Sequence, residues 1–473
     1  MFILFNFRNK WFGLTGNFTT TYPDHYSYLH KDDRRHATTL EQYKLAAASK
    51  RSVESYNLDV SNIAPNPNAE DYIRSRGMVG FCLLNEVDHF HCTDLGSFPS
   101  CPGHDLYSGF AREDIWTIFK LWIKLEVSTQ EDIINLVNNY RNTLRGEDRN
   151  RYIGPLKKID FSATKLPGNM SQVGFFIRFV TVIFSPLINE CKLNPMDCTW
   201  RCLLALKELS EHVLAFTTCD RQVEQMGRVI DKYLTQRIKL SYVAQTYLGD
   251  GPYTLRVKHG YLLMYPALVR VIGPIANYNT KSMERRNGIL KRNALRTRAF
   301  KHLCQTIGKR DAKVSTLRAT NDMYNMNAVG RRMKMSFEQW SHLHEDAKVA
   351  LRQAHLDLNI SCQHKAATLN DRPFEVNQAI AYFINFNIDN YCLGVICGIH
   401  VRGDTCNLVV NRTHAVGSET FGIVKISQTS HYDVVPLSHL ANHEALNIYV
   451  LDGEEYVSLR SAPLSLNGSR WPI

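Results

Sequence analysis

The spacing of apolar residues changes once along this chain, from helical to alternating, and that change decides what it can fold into. Over 112–125, Ile115, Ile118, Phe119, Trp122 and Leu125 recur at helical period, with Glu113 and Asp114 in the first turn. Ser128 and Glu131 form a capping-box pair ahead of Ile133, Ile134, Val137 and Tyr140, which predicts a second helix over 128–144. Further helices are expected at 171–190, 197–216 and 220–240. Two tight turns, at 249–252 and 273–274, bracket the stretch between them. From Phe374 the texture is β: the segments at 381–387, 393–399, 407–410, 422–426 and 447–451 alternate or run apolar between turn residues. Asp452-Gly453 is a hairpin signal ahead of a last strand.

These patterns divide the chain into a polar, irregular region at 1–76 with one helical piece at 40–48, and a strand-and-loop segment at 77–110. A helical region follows at 111–270, then a basic helical segment at 271–360 and a C-terminal β-domain at 374–462. The expected class is mixed α and β, with a small antiparallel β-domain at the end. A length of 473 residues suits about three domains.

Composition enters by exclusion. With 44% hydrophobic and 21% charged residues the chain is not disordered overall. The most apolar stretch, 173–188, is interrupted by Arg178 and Pro186, so no membrane span is expected. The first residues lack a basic n-region and hold only five leading apolar positions, which is not a signal-peptide pattern. Twelve cysteines at irregular spacing do not form a disulfide framework. Reduced thiols and a nuclear or cytoplasmic, not secreted, location are expected.

Charge is concentrated. Residues 281–334 hold fifteen Lys or Arg against three acids, a net +12, in a chain whose total is +11. On a helix over 282–307, Arg285, Arg292 and Arg296 fall on one flank, and Lys291, Arg298 and Lys301 on another. Lys281 and Arg286 add to the cluster. A solvated basic face is the ordinary reading of such a run, but the counter-charges of such a face are missing. DNA or another polyanion is the expected partner, and a homo-oligomer is a possible assembly.

Two groups could carry metal chemistry. Cys82, His89, His91, Cys92, Cys101 and His104 lie within 23 residues and are zinc-ligand types, although no CxxC or HxxxH pair is present and ordinary loop residues explain them equally. Asp105 stands at a helix start after Phe98-Pro-Ser-Cys-Pro-Gly-His104, where its carboxylate would either bind a metal or cap the helix. Glu284 is the acid at the head of the basic run. A carboxylate beside so many positive charges stays ionised, as a metal ligand must.

In order along the chain, the segments 77–91, Phe98-Pro, His104-Asp105-Leu-Tyr-Ser-Gly109, Met170-Ser-Gln172, Leu255-Arg-Val-Lys258-His259-Gly-Tyr-Leu-Leu-Met-Tyr265-Pro266, Gly273-Pro274 and Ser282-Met-Glu284-Arg-Arg-Asn287 resemble metazoan transposon-encoded proteins of the CACTA (En/Spm)-like DDE transposase group. The match spans about residues 30 to 460. The resemblance implies a partial RNase H-like core with a large helical insertion. It makes Asp105 the second and Glu284 the third acid of a two-metal site, close together in space, with Mg²⁺ as the only cofactor if the site is active. A first acid is expected upstream. Asp24, Asp32 and Asp33 are the nearby candidates, and none sits in an apolar strand. Ser108 also stands where the family usually has Glu. A catalytically inactive, DNA-binding transposase derivative is therefore expected. The rival readings are an active Mg²⁺-dependent nuclease completed by a missing upstream segment, and a non-enzymatic protein-interaction module built on the β-domain.

Overall fold

The computed structural model describes residues 26–63, scattered positions of 65–100, 101–144, most of 149–278, residues 309 and 328–329, 345–353 and most of 362–463. The chain forms two compact units, Met1–Tyr278 and Asn279–Ile473. The described part of the first is helical, and that of the second is dominated by antiparallel sheet. The class is mixed α and β.

The helical unit begins with α1 (Lys31–His36), α2 (Leu40–Ala46) and α3 (Val53–Ile63). Thr39 and Gln42 form a reciprocal capping box that starts α2. Tyr43 and Tyr56 are fully buried. The described residues 26–63 of the region expected to be irregular are thus packed, with Tyr26, Tyr43 and Tyr56 buried, and the helical piece expected at 40–48 is α2. The strand expected within 77–104 does not form among its described residues. Leu83–Glu86 is a single 3-10 turn, and the amide of Cys82 donates to the Tyr56 hydroxyl at 2.7 Å instead of to a neighbouring strand.

A π-helical segment, Gly103–Phe110, runs into α4 (Ala111–Lys124). Ile115, Ile118, Phe119, Leu121 and Trp122 of α4 are fully buried, which makes it the central helix. Next, α5 (Gln130–Thr143) is capped by Thr129 and Asp132, one residue later than the expected Ser128–Glu131 pair. The amide of Ser128 is already spent on the carbonyl of Trp122, so Ser128 closes α4 and the next residue opens α5. The single helix expected over 171–190 is two, α6 (Met170–Ile183) and α7 (Ser185–Asn189). Pro186 cannot donate to a continuing helix but is tolerated in the first turn of a new one. The stretch Met170–Asn189 has the length and apolar composition to cross a membrane; here 61% of it is buried inside the protein.

Helices α8 (Cys198–Val213) and α9 (Asp220–Leu248) pack against each other, and α9 also lies on α4. Gly249, at φ +78°, ends α9 in a conformation that favours glycine. Two short helices, α10 (Val257–Leu262) and α11 (Tyr265–Ile272), then return along the π segment and α9.

In the second unit β1 (Ala328–Val329), β3 (Ala366–Leu369) and β4 (Arg372–Glu375) form a small antiparallel sheet. The main sheet contains β2 (Cys362–His364), β5 (Ala379–Phe383), β6 (Tyr391–Arg402), β7 (Thr405–Ser418), β8 (Ile423–Pro436), β9 (Ile448–Leu451) and β10 (Glu454–Val457). Its order is β2-β6-β7-β8-β10-β9, with β5 also paired to β6. The long strands bend at register shifts between Ile396 and Gly398 and between Asn411 and Thr413. The bend lets the sheet curl onto itself: Ala379 and Leu446 exchange both backbone hydrogen bonds, at 2.8 and 2.7 Å. Alternate residues of β5 feed two cores, Ala379, Ala381 and Phe383 on one face and Ile380 and Tyr382 on the other. β9 and β10 pair antiparallel as the hairpin expected there, with Gly453 at φ +80° in the turn. The β-domain starts before residue 374, since β2 and β3 already belong to it. Helix α12 (Glu345–Gln353), counted above with the basic segment, packs on β7 and β8 through Ala347 and Leu351.

Candidate functional site around Asp105

The Ser100-Cys101-Pro102 turn directs the chain into the π segment. The amides of His104 and Asp105 both donate to the Cys101 carbonyl, at 3.0 and 2.9 Å. The segment is broken near its end by a kink at Gly109, whose backbone is not helical. Asp105 is only 5% exposed and lies in the first turn of the segment, whose N-cap position is Pro102 rather than Asp105. The Asp105 Oδ2 accepts from the hydroxyls of Ser100 and of Tyr265, the latter at 3.3 Å. Burial, with the Asp105 charge added, raises the Tyr265 hydroxyl well above its usual range, so it stays a proton donor.

Lys258 of α10 completes the cluster. Its Nζ donates to the carbonyl of His104 at 2.6 Å. Burial lowers the affinity of this ammonium for its proton, and the Asp105 carboxylate is the strongest charge opposing that. Gly109 makes the approach possible: a Cβ there would lie 2.8 Å from the His104 oxygen and 3.0 Å from Lys258 Cδ.

A second polar network lies beside it and is fully buried. Asp114 of α4 receives Arg237 Nε of α9 at 2.5 Å and the Tyr233 hydroxyl. Burial alone would raise the Asp114 carboxyl; Arg237, His259 and the Tyr233 hydroxyl together outweigh it and hold the pKa below the usual value. His259 of α10 stacks on Phe110, with ring centroids 4.5 Å apart. Its Nδ1 accepts from the Arg256 amide at 2.8 Å, so the neutral ring carries its proton on Nε2, 3.9 Å from Asp114. Outside the core, Arg256 and Lys165 both pair with Glu113, at 3.0 and 3.2 Å.

The zinc candidates do not converge as far as they are described. Both ring nitrogens of His91 are engaged, by Asn85 at 3.2 Å and Thr93 at 2.7 Å. His104 Nδ1 lies 3.3 Å from Cys101 Sγ. Cys82 is buried beneath the Tyr56 hydroxyl. His89 and Cys92 lie outside the described residues, as do Glu284 and the candidate DNA-binding residues Lys281, Arg285, Arg286, Lys291, Arg292, Arg296, Arg298 and Lys301. The expected proximity of Asp105 and Glu284 therefore falls outside the described residues too.

At Asp105 two hydroxyls share one carboxylate oxygen, and Glu284, the other acid expected at a two-metal site, lies outside the described residues. Among the described residues no group of three His, Cys, Asp or Glu side chains is placed to hold a metal ion. Of the groups that build the site, Lys258, His259 and Tyr265 lie in the 255–266 segment that carried the family resemblance, yet their types alone indicated no role. Asp114 read as a first-turn acid, and Arg237 gave no signal at all. No protein family, curated protein or solved structure matches the chain.

Proposed function

We propose that the chain is a transposase-derived protein whose activity is electrostatic, sequence-tolerant DNA binding through residues 281–334, without cleavage. One observation carries the reading: fifteen basic residues against three acids in that segment, while 335–473 holds nine basic residues against fourteen acidic ones. A polyanion is the complementary partner for such a segment. The resemblance in ordered motifs from Gly77 to Asn287 supports the transposase ancestry.

The absence of cleavage is supported by the surroundings of Asp105. A carboxylate oxygen that already accepts from the Ser100 and Tyr265 hydroxyls is poorly prepared to hold a metal for in-line attack on a phosphodiester. The resemblance also leads one to expect an RNase H-like core with a sheet at its centre. The described residues of 26–278 favour a helical scaffold instead, and the proposal does not depend on a sheet there.

The test is a duplex-DNA titration of the full chain and of the variant with Arg285, Arg292, Arg296 and Lys301 changed to Ala. Weaker binding by the variant, with neither protein cutting DNA in Mg²⁺, is the expected result. Mg²⁺-dependent cutting that Asp105→Asn abolishes would favour the nuclease reading.

A further inference from the structure

Between α5 and α6 the chain forms a strap with neither helix nor strand over 153–160, held first by side chains of α5 and then by side chains of α4. We propose that the surface of α4 and α5 under this strap is a peptide site that reads main chain, with the strap as its resident occupant. The ligand it fits is an extended segment of a partner protein that carries aliphatic side chains at every third position. The inference is independent of DNA binding through 281–334.

Two features argue for it. The first is the grip, in which each bond goes to the strap's backbone. Asn138 of α5 accepts from the Leu156 amide at 3.0 Å and donates to the Leu156 carbonyl at 2.9 Å, and Gln130 accepts from the Ile159 amide at 3.1 Å. On α4, Arg112, Trp116 and Lys120 follow one another at four-residue steps along one face and donate to strap carbonyls. Trp116 Nε1 reaches Asp160 at 3.2 Å and Arg112 Nε reaches Leu166 at 2.7 Å. Lys120 Nζ takes both Phe161 and Ala163, at 2.7 and 2.6 Å. Main-chain bonds of this kind give a peptide site affinity without fixing the ligand's sequence. The second feature is the spacing of the anchors. Ile153, Leu156 and Ile159 are at most 4% exposed, whereas Gly154, Pro155, Lys157 and Lys158 between them are exposed. Selectivity then rests on three aliphatic seats. A second copy is the poorer occupant, because its own strap is tethered at both ends, to α5 and to α6. The strap competes in cis at an effective concentration on the order of millimolar, so a free peptide gains the site when the strap is weakened.

The probe is a fluorescent peptide copying residues 151–168, titrated with the full chain and followed by anisotropy. Leu156→Asp with Ile159→Asp unseats the strap, and this variant is expected to bind the peptide at least about tenfold more tightly than wild type does. Adding Gln130→Ala and Asn138→Ala should remove that gain. A peptide carrying Lys157→Ala and Lys158→Ala should bind as well as its parent, and one carrying Ile153→Asp, Leu156→Asp and Ile159→Asp should not bind. Equal binding to wild type and to the unseated variant would overturn the proposal, as would binding that survives the loss of Gln130 and Asn138. A wild-type dimer that Leu156→Asp dissolves would give the seat to a second copy and overturn the choice of partner. If the unseated variant does not fold, amide exchange in wild type decides. The Leu156 and Ile159 amides are expected to exchange through an opening that leaves the α4 amides protected. Exchange only with unfolding of the whole unit would make the strap fixed core and contradict the proposal.

Discussion

Arg237 Nε and Asp114 Oδ1 lie 2.5 Å apart although 123 residues separate them in the chain, and neither side chain is more than 2% exposed. The pair ties α9 to α4 at the centre of the helical unit. Buried ion pairs of this kind add little net stability over an apolar pair, but losing one partner strands a charge. Arg237→Met is therefore expected to destabilise the unit by about 3–5 kcal/mol. The double change with Asp114→Leu should recover a large part of that. Denaturant unfolding of the three variants measures it, and a double-variant loss equal to the sum of the two single losses would show that the pair is not coupled.

His259 gives the unit an acid sensitivity. Burial is the main cause holding its pKa below the usual value, with Arg237 acting in the same direction; Asp114 and Glu113 oppose. A histidine with a depressed folded pKa contributes stability that is present above about pH 6.5, its ordinary value, and is lost as the pH falls from there toward the folded value. The mechanism is visible in the bonding. Protonation turns Nδ1 into a donor and breaks its acceptance of the Arg256 amide. Stability measured from pH 7.5 to 5 should fall for the wild type and fall less steeply for His259→Asn. Parallel curves would place the sensitivity elsewhere.

Gly109 and Gly80 make a matched pair for testing the close approach at Asp105. A Cβ on Gly109 meets the His104 oxygen and the Lys258 stem within 3.0 Å, while one on Gly80 meets nothing within 4 Å. Gly109→Ala should cost about 1–3 kcal/mol as an overpacking change, and Gly80→Ala much less. Thermal melts of the two variants decide it; equal effects would contradict the packing account.

The curl of the β-domain depends on Gly394 of β6. A Cβ there would sit 2.3 Å from Val410 Cγ1 and 2.9 Å from the Asn411 carbonyl on β7, close to the register shift that bends both strands. Gly394→Ala is expected to destabilise the β-domain by more than about 1 kcal/mol. Ala379–Leu446, where the sheet closes, should lose amide-exchange protection first in that variant. Unchanged exchange at these amides would show that closure does not depend on the bend.

Much of the fold was legible because period and caps are local. The run from Ile115 to Trp122 declared α4, and Asp452-Gly453 declared the last hairpin. The errors have local causes as well. Ser128 looked like a cap until its amide was spent closing α4, and Pro186 divided a helix that apolar content alone made continuous. Helix α2 was expected at 40–48, but α1 and α3 were missed, since Tyr56 of α3 is buried by tertiary packing with little apolar period to announce it. The site was less legible than the fold. Asp105 stood out by its motif, but its surroundings come from Lys258 and Tyr265, 153 and 160 residues on. No spacing rule joins residues so distant in the chain.

The central claim is that residues 281–334 bind DNA through charge. The most direct measurement is the dependence of duplex affinity on salt, for the full chain and for the variant with Arg285, Arg292, Arg296 and Lys301 changed to Ala. If six to eight cations meet phosphates, the logarithm of affinity should fall with the logarithm of salt at a slope of roughly −5 to −7. The variant should be shallower by about one unit for each phosphate contact it loses. An unchanged slope would place the binding surface elsewhere, and no binding at low salt would contradict the account outright.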